Sequence, residues 1–188
     1  MVRFGIIGLG VISEIHAKAI KAVDGAELIG GFSPIAPQVE AFAQKWGCKG
    51  FYSLEALLAD PKIDAVAICS PSGAHLGPAL QAAEAGKHLV IEKPIEISST
   101  RAARIVETAE KYGVMLSGIF QSRFYESAKH VKQALHLGRF GRVSLVDAYV
   151  KWFRTQEYYS ASDWRGTWEM DGGGALMNQS IHMVDMLS

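Results

Sequence analysis

The sequence has little cysteine, no excess of charge of either sign and no long apolar run. Only Cys48 and Cys69 occur among its 188 residues, which is too few for a disulfide framework and provides no metal-binding cluster. Lys plus Arg and Asp plus Glu both number 19, so the formal net charge is zero. We therefore expect neither nucleic acid nor a membrane as a partner. No apolar stretch approaches the ~20 residues of a membrane span.

The sequence pattern also does not predict a leader segment. The strand-like run VRFGII begins at Val2 and a glycine loop follows it at once, whereas a signal peptide would place a basic and then an apolar stretch there. The cytoplasm is therefore the expected location. Hydrophobic residues make up 49% of the chain, which is enough for a packed core.

Short apolar runs alternate with amphipathic segments as far as residue 121. Several runs are apolar throughout, which is typical of strands covered on both faces. This alternation predicts an α/β fold, a doubly wound parallel Rossmann sheet, over residues 1–121. The strand candidates are RFGII, AELIGGF, AVAIC, HLVIE and VMLSGIF. The helix candidates are VISEIHAKAIKAV, APQVEAFAQKWG, SLEALLAD, GPALQAAEAG and STRAARIVETAEKYG.

The pattern changes after Phe120. We predict a helix at about residues 127–137, a long alternating strand in GRFGRVSLVDAYVKWF, an aromatic and polar stretch, and a last helix after three glycines. An isolated strand leaves its backbone unpaired, so one strand and two helices do not enclose a core. Residues 122–188 are therefore predicted to be the first part of an α+β domain that is incomplete in this chain.

The sequence GLGVIS lies between the first strand and the first helix, where a dinucleotide-binding loop is expected. Gly8 would allow the tight turn, Gly10 would let the backbone approach a pyrophosphate, and Ser13 is small enough for close packing of helix and strand. Val11 and Ile12 would open the helix, whose N-terminal amides bind phosphate. The pattern favours NAD or NADP as cofactor over a glycine turn without a ligand.

The end of the second strand bears on the choice between the two cofactors. Ser33 stands where an acidic residue would hold the adenosine ribose hydroxyls, 23 positions after Gly10 (33 − 10). A carboxylate would repel a 2′-phosphate, whereas serine does not, and no adjacent arginine would bind one. The sequence leaves NAD and NADP open, with a slight preference for NADP or dual use.

The carboxyl ends of parallel strands border the ligand crevice in doubly wound folds. In CSPSGAH, which begins at the last residue of AVAIC, Ser70 and Pro71 are candidate cofactor contacts. His75 is predicted to start a helix or to be structural rather than catalytic. Cys69 is most simply a small buried residue.

The tripeptide EKP follows HLVIE at the same edge. Lys93 would point to the nicotinamide, where a cation can polarise a hydroxyl or a carbonyl group. Taken alone, it is equally well a solvated loop lysine. Pro94 fixes the local backbone, and both Glu92 and Lys93 are predicted to border the cofactor.

Near the end of the chain, GGGALMNQSIH places Asn178 and His182 four residues apart on a predicted helix, so both side chains face the same way. Taken alone, Asn178 would be interpreted as a polar contact on a helix and His182 as a buried histidine. Together, GLGVIS, EKP and GGGALMNQSIHMVD at these separations resemble the motifs of the Gfo/Idh/MocA family (glucose–fructose oxidoreductase, inositol dehydrogenase and rhizopine catabolism). The resemblance covers the whole chain.

The resemblance implies an NAD(P)-dependent oxidoreductase that transfers a hydride between nicotinamide and a carbon of a sugar, cyclitol or related polyol. It also implies a substrate and oligomerisation domain with a mainly antiparallel open sheet, truncated in this chain, and a homo-oligomer for the full-length protein. By the same resemblance, Lys93 anchors and polarises the reacting hydroxyl, His182 is the acid/base, and Asn178 contacts the substrate where the family often has aspartate. Asparagine cannot accept a proton, so His182 would carry the transfer.

Several alternatives stay open. The chain could belong to an NAD-dependent glycosidase of the same family, to a non-catalytic nucleotide-binding sensor, or be an inactive fragment, although a sensor would need neither Lys93 nor His182. Asp185 either supports His182 or is a solvated helix residue. Five aromatic and basic residues either line a sugar site or pack between domains: Arg154, Tyr158, Tyr159, Trp164 and Arg165.

Overall fold

Six parallel strands form the sheet on which the rest of the chain is built. A computed structural model describes residues 1–188. The strands are β1 (Val2–Ile7), β2 (Ala26–Phe32), β3 (Lys49–Phe51), β4 (Ala65–Ile68), β5 (His88–Ile91) and β6 (Leu116–Gly118). Their order is β3-β2-β1-β4-β5-β6, with every pairing parallel. This is the strand order of a Rossmann fold, so the predicted doubly wound sheet is confirmed.

Helices cover both faces of the sheet. Helices α1 and α2 pack on one face through residues such as Ala17 and Phe42, and α3, α4 and α5 pack on the other through Leu57, Ala79 and Ile105. Every residue of β4 is buried, as expected for a central strand between two helical layers. The helices are α1 (Val11–Ala22), α2 (Ala36–Trp46), α3 (Leu54–Leu58), α4 (Leu76–Glu84) and α5 (Ser99–Tyr112). None of the helices has the length and hydropathy that crossing a bilayer requires.

The edge strand β3 was not among the predicted strands. It has three residues, Lys49–Phe51, and pairs only with β2. Such a short run shows no alternation of apolar and polar residues, so periodicity does not reveal it. It forms because the outer side of β2 offers an unpaired backbone.

Beyond β6 the chain is helical and irregular. A 3₁₀ turn (Gln121–Phe124) leads to α6 (Glu126–His136), which confirms the helix predicted at about residues 127–137. Next come α7 (Gln156–Ser160), a π-helix (Ala175–Ser180) and α8 (Ile181–Leu187). The predicted last helix is therefore two elements, with Asn178 in the π-helix and His182 in α8.

The long strand predicted in GRFGRVSLVDAYVKWF is not formed. Residues 142–155 join no sheet, and Leu145, Tyr149 and Phe153 are 75%, 77% and 83% exposed. A strand exists only where a neighbouring strand accepts its backbone hydrogen bonds, and residues 122–188 supply no second strand. The antiparallel sheet of the substrate domain therefore stays a prediction.

The last part of the chain returns to the carboxyl edge of the Rossmann sheet. The amide of Gly73, in the loop after β4, donates to the carbonyl of Met170 at 2.8 Å. Gly172 lies so close to Ile97 that no side chain would fit there. These contacts hold the π-helix and α8 above the loops that follow β4 and β5.

Candidate active site

The loops after β1 and β4 face each other where the strand order reverses. Gly8 has a φ of 89°, and its amide donates to the carbonyl of Phe32 at 2.8 Å. A Cβ on Gly8 would lie 2.6 Å from the amide nitrogen of Ser70. Glycine is thus required both by the backbone conformation and by the contact between the loops. The resulting crevice lies at the topological switch point, where doubly wound sheets bind dinucleotides.

Gly10 and the first turn of α1 lie at one end of this crevice. No heavy atom lies within 4 Å of the position that a Cβ on Gly10 would occupy. The amides of Val11 and Ile12 open α1 without a side-chain cap. The hydroxyl of the fully buried Ser13 donates to the carbonyl of Gly10 at 2.5 Å and fixes the turn. An open helix N-terminus with free amides fits the pyrophosphate of NAD.

Ser33 lies directly after β2, at the same edge of the sheet. Its side chain is buried, with 4% exposed. The hydroxyl donates to Oε1 of Gln38 at 2.8 Å and accepts from the amide of Ile35 at 3.2 Å. The serine is therefore at the end of β2, as the sequence suggested, and the contact with the ribose stays a prediction.

We expect Ser33→Asp to raise the ratio of NAD affinity to NADP affinity by about tenfold or more, because a carboxylate would repel the 2′-phosphate. Fluorescence titrations with NADH and NADPH measure the ratio. Ser33→Asn is the matched control, since asparagine has the shape of aspartate without its charge. This variant should leave the affinity ratio unchanged. An unchanged ratio in Ser33→Asp would show that this position does not face the ribose.

His75 links the loop after β4 to the loop after β5. Its Nε2 lies 2.9 Å from the carbonyl oxygen of Ser70, and its Nδ1 lies 3.1 Å from the carbonyl oxygen of Pro94. The side chain is 1% exposed, and burial lowers the pKa of His75. The structural role predicted for His75 agrees with these contacts. Pro71 precedes the short turn that leads to His75.

Lys93 and Asn178 meet above the carboxyl end of β5. The Lys93 ammonium donates to the carbonyl oxygen and to Oδ1 of Asn178, at 3.1 and 3.2 Å. The peptide bond between Lys93 and Pro94 is cis. Burial lowers the pKa of Lys93, while the charges of Glu92 and Asp171 oppose this effect. The ammonium is thus held in a fixed direction where it can donate to a substrate oxygen.

Asp171, which the sequence analysis missed, orients Asn178. Its side chain is 1% exposed, and its Oδ1 accepts from Nδ2 of Asn178 at 2.8 Å. Its Oδ2 accepts from the amide of Gly166 at 2.9 Å. The amide group of Asn178 therefore turns its oxygen toward Lys93. An aspartate in place of Asn178 would lack this donor.

His182 lies on α8 and is 8% exposed. Its Nδ1 is buried and has no hydrogen-bond partner. Burial lowers the pKa of His182, as does the positive charge of Lys93, while Glu92 and Asp185 oppose both effects. A neutral imidazole is suited to accept a proton. Asp185 is not merely solvated, since it pairs with Arg123, with Nε and Oδ2 2.8 Å apart.

Lys93, Asn178 and His182 share one cavity of about 390 Å³. Its lining contains two cations, Lys93 and Arg154, and no carboxylate. The Arg154 guanidinium donates to Oε1 of Gln179 at 2.8 Å, and Nε2 of Gln179 donates to the hydroxyl of Tyr158 at 3.2 Å. The other lining residues are Gln121, Ser122, Tyr125, Trp152 and Met183.

The five aromatic and basic residues considered from the sequence divide into two groups. Arg154 and Tyr158 line the cavity, whereas Tyr159, Trp164 and Arg165 do not. The Arg165 guanidinium stacks on the rings of Tyr158 and Trp164 at 4.6 and 5.5 Å, and the Tyr159 ring meets Tyr158 edge-on at 5.2 Å. The second group therefore packs behind the wall that the first group forms.

Comparison with known proteins is consistent with this geometry. The family described as an oxidoreductase family with an NAD-binding Rossmann fold matches residues 2–120, and the GFO/IDH/MocA C-terminal domain matches residues 128–188. The chain belongs to the Gfo/Idh/MocA family. The resemblance seen in the three motifs is thereby confirmed, and the family's NAD-binding domain is the part that the Rossmann sheet occupies.

Three relatives show the range of the family. Myo-inositol 2-dehydrogenase of Thermotoga maritima is 33% identical over 141 residues, which cover 74% of this chain and 42% of that protein. The WlbA dehydrogenase of Bordetella pertussis, solved with NADH and UDP-GlcNAcA, is 40% identical with a TM-score of 0.95, covering 100% of this chain and 58% of the other. The WlbA enzyme of Chromobacterium violaceum, solved with the same ligands, is 38% identical with a TM-score of 0.93, covering 99% and 54%. The chain thus spans 42% to 58% of these relatives.

Proposed function

We propose that the full-length protein is an NAD-dependent dehydrogenase that oxidises a hydroxyl group of an acidic sugar. The observation that carries the proposal is the convergence of Lys93, Asn178 and His182 in one cavity at the carboxyl edge of the Rossmann sheet. Residues 1–121 would hold the cofactor, and residues 122–188 would begin the substrate domain. A cytoplasmic location and a homo-oligomeric full-length protein belong to the same proposal.

The chemistry follows from the positions of the three side chains. His182 accepts the hydroxyl proton as the C–H bond breaks, and the Lys93 ammonium donates to the same oxygen and stabilises its developing negative charge. Asn178, oriented by Asp171, holds Lys93 and offers an amide contact to the substrate. When bound, NAD supplies the hydride acceptor. The product is a ketone, and the reverse reaction returns the proton from His182.

NAD rather than NADP is the proposed cofactor. The WlbA structures from Bordetella and Chromobacterium both contain NADH, which supports NAD against the slight preference for NADP suggested by Ser33. Dehydrogenases among the relatives, including the Thermotoga inositol enzyme, support net oxidation over the glycosidase alternative. An enzyme of that alternative class would return the cofactor to its starting state in every turnover.

The charge of the cavity favours an acidic substrate over a neutral polyol. Lys93 and Arg154 are its two cations, and no carboxylate lines it. The charges of Glu92 and Asp171 act on Lys93 from outside the lining, which leaves Arg154 as the unbalanced cation. Arg154 pairs with no acidic side chain, and its planar guanidinium fits a carboxylate with two parallel hydrogen bonds. UDP-GlcNAcA, an acidic nucleotide sugar, is the compound bound to both WlbA enzymes, and this supports the same substrate class here.

The test is NADH formation by the full-length protein with an acidic nucleotide sugar, with its neutral parent and with inositols. We expect turnover with the acidic sugar and NAD. Failure of every hydroxyl compound to reduce NAD or NADP, by a protein that binds the cofactor, would refute the dehydrogenase proposal. Turnover of the neutral parent with equal kcat/KM would refute the acidic-substrate part alone.

Arg154→Met in the full-length enzyme is expected to raise KM for the acidic sugar by about 10–100-fold, since it removes a charge-assisted hydrogen-bonding group. The KM for a neutral sugar should change little, and steady-state kinetics with both substrates measure the difference. Arg165→Met is the matched control, because Arg165 stacks on the same Tyr158 ring without lining the cavity. Equal effects of the two substitutions would mean that Arg154 only supports the wall.

A further inference from the structure

His16 forms a buried contact with the EKP loop that the proposed chemistry does not use. It lies on α1, two turns from the dinucleotide-binding loop. Its Nε2 is 2.8 Å from Oε1 of Glu92, although the two residues are 76 positions apart in the chain. Their side chains are only 12% and 10% exposed. The helix that begins the cofactor site is therefore tied to the loop that carries Lys93.

Hydrogen bonds hold both the backbone and the side chain of Glu92. Its amide donates to the carbonyl of Ile68 at 3.0 Å, which extends the parallel ladder between β4 and β5 by one residue. One carboxylate oxygen faces His16, and the other accepts from the amide of Lys93 at 3.1 Å. His16 is its only side-chain partner in the structure. The direction of the carboxylate is thus set by this imidazole on one side and by the backbone amide of Lys93 on the other.

The negative charge of Glu92 acts on both groups that the proposed function assigns to the reacting hydroxyl. It favours the protonated forms of Lys93 and His182 and raises the pKa of each against the effect of burial. It also raises the pKa of the buried Cys69 thiol at the end of β4. The charged and titratable groups around Glu92 are therefore His16 from α1, Cys69 directly after β4, Lys93 beside it and His182 from α8.

We infer that His16 is a positioning residue of the active site: it holds the Glu92 carboxylate, whose other oxygen accepts from the amide of Lys93, and so fixes the loop that carries Lys93. A hydrogen-bond donor favours the charged form of a buried carboxylate and fixes its direction. Without His16, one oxygen of Glu92 would be buried without a partner, so the carboxylate would no longer be held in its present direction. The inference rests on the proposed function for the roles of Lys93 and His182.

The experiment compares His16→Leu, His16→Gln, Glu92→Gln and the double variant His16→Leu/Glu92→Gln in the full-length protein. The first readout is the NMR titration of His182, assigned by loss of its signal in His182→Gln. The second is the pH dependence of kcat/KM. His88→Gln is the matched control, because His88 lies at the other end of β5, where its Nδ1 accepts from the amide of Met115.

We expect Glu92→Gln to move the His182 titration and the acid limb of kcat/KM to lower pH by about 0.5–1 unit, because a favourable negative charge is lost. His16→Leu should move both in the same direction. His16→Gln keeps a donor and should restore most of the shift. In the double variant, His16→Leu should add nothing to the effect of Glu92→Gln, since His16 acts through Glu92. His88→Gln should leave both readouts unchanged.

A loss of thermal stability in His16→Leu with an unchanged His182 titration would overturn the inference and leave His16 as a packing residue. Additive shifts in the double variant would overturn it too, because they would separate His16 from Glu92. The NMR titration needs no substrate, so it decides the point even if the protein oxidises no sugar. Conversely, the His182 titration could shift as expected in the His16 and Glu92 variants of a protein that has no dehydrogenase activity. That result would reject the proposed function and leave the role of His16 intact.

Discussion

His182→Ala in the full-length enzyme is expected to lower kcat by about 10²–10⁴-fold, the range for loss of a general acid or base. The affinity for NAD should change little, because the crevice between Gly8 and Ser70 lies on the Rossmann sheet and not on α8. Steady-state assays of NADH formation measure kcat, and a fluorescence titration measures the affinity for the cofactor. The matched control is His130→Ala, at an exposed histidine of α6 outside the cavity lining.

Lys93→Ala should also depress kcat, and the double variant His182→Ala/Lys93→Ala should lose less than the product of the single effects. In the proposed mechanism both groups act on one hydroxyl oxygen, and groups that act as a unit are not additive. Wild-type turnover in His182→Ala would remove the assigned base. Full additivity would place the two side chains on different steps of the reaction.

The pH dependence of oxidation has a sign that follows from the structure. Burial and the charge of Lys93 lower the pKa of His182 below 6.5, so the neutral base is available at neutral pH and its loss begins only in more acidic solution. Burial lowers the pKa of Lys93 below 10.5, so the ammonium is lost earlier on the alkaline side than for a solvated lysine. The rate profile is therefore expected to be bell-shaped, with both limbs displaced toward lower pH.

Local patterns in the sequence predicted the parts of the fold that are local. The apolar runs of β1 and β4 span 6 and 4 consecutive residues, and the periodic segments α1 and α5 span 12 and 14, so they can be seen without a structure. The edge strand β3 was missed because three residues carry no period. The segment 142–155 has the alternation of a strand but no partner, and pairing is a property of two segments rather than one.

The candidate site also divides into residues that a local motif reveals and residues that only contacts between distant segments reveal. Lys93, Asn178 and His182 stand in recognisable motifs, and the structure brings all three to one cavity. The groups that orient them could not be found in this way. Asp171 carries no motif of its own, and His16 looked like one more residue in the period of α1, because its partner Glu92 is 76 positions away. The π-helix that holds Asn178 also has no sequence pattern that separates it from an α-helix, although such turns are frequent at functional sites.

Gly10→Val is expected to lower the affinity for NAD by about 10²-fold or more while the protein stays folded. The Cβ position of Gly10 is open on all sides to 4 Å, and its φ of −86° is accessible to any residue, so a side chain there meets no protein atom. It would instead occupy the approach to the uncapped amides at the start of α1. Loss of two charge-assisted hydrogen bonds of about 1.5 kcal/mol each corresponds to this fall in affinity.

The matched control is Ser99→Val, because Ser99 is also exposed at a helix start but lies on α5 and is not followed by proline. Both variants should keep the circular dichroism and melting temperature of the parent to a similar degree. Only Gly10→Val should fail to bind NADH in a fluorescence titration. If Gly10→Val binds NADH as the parent does, the pyrophosphate does not lie against this turn, and the cofactor must enter the crevice by contacts other than the N-terminus of α1.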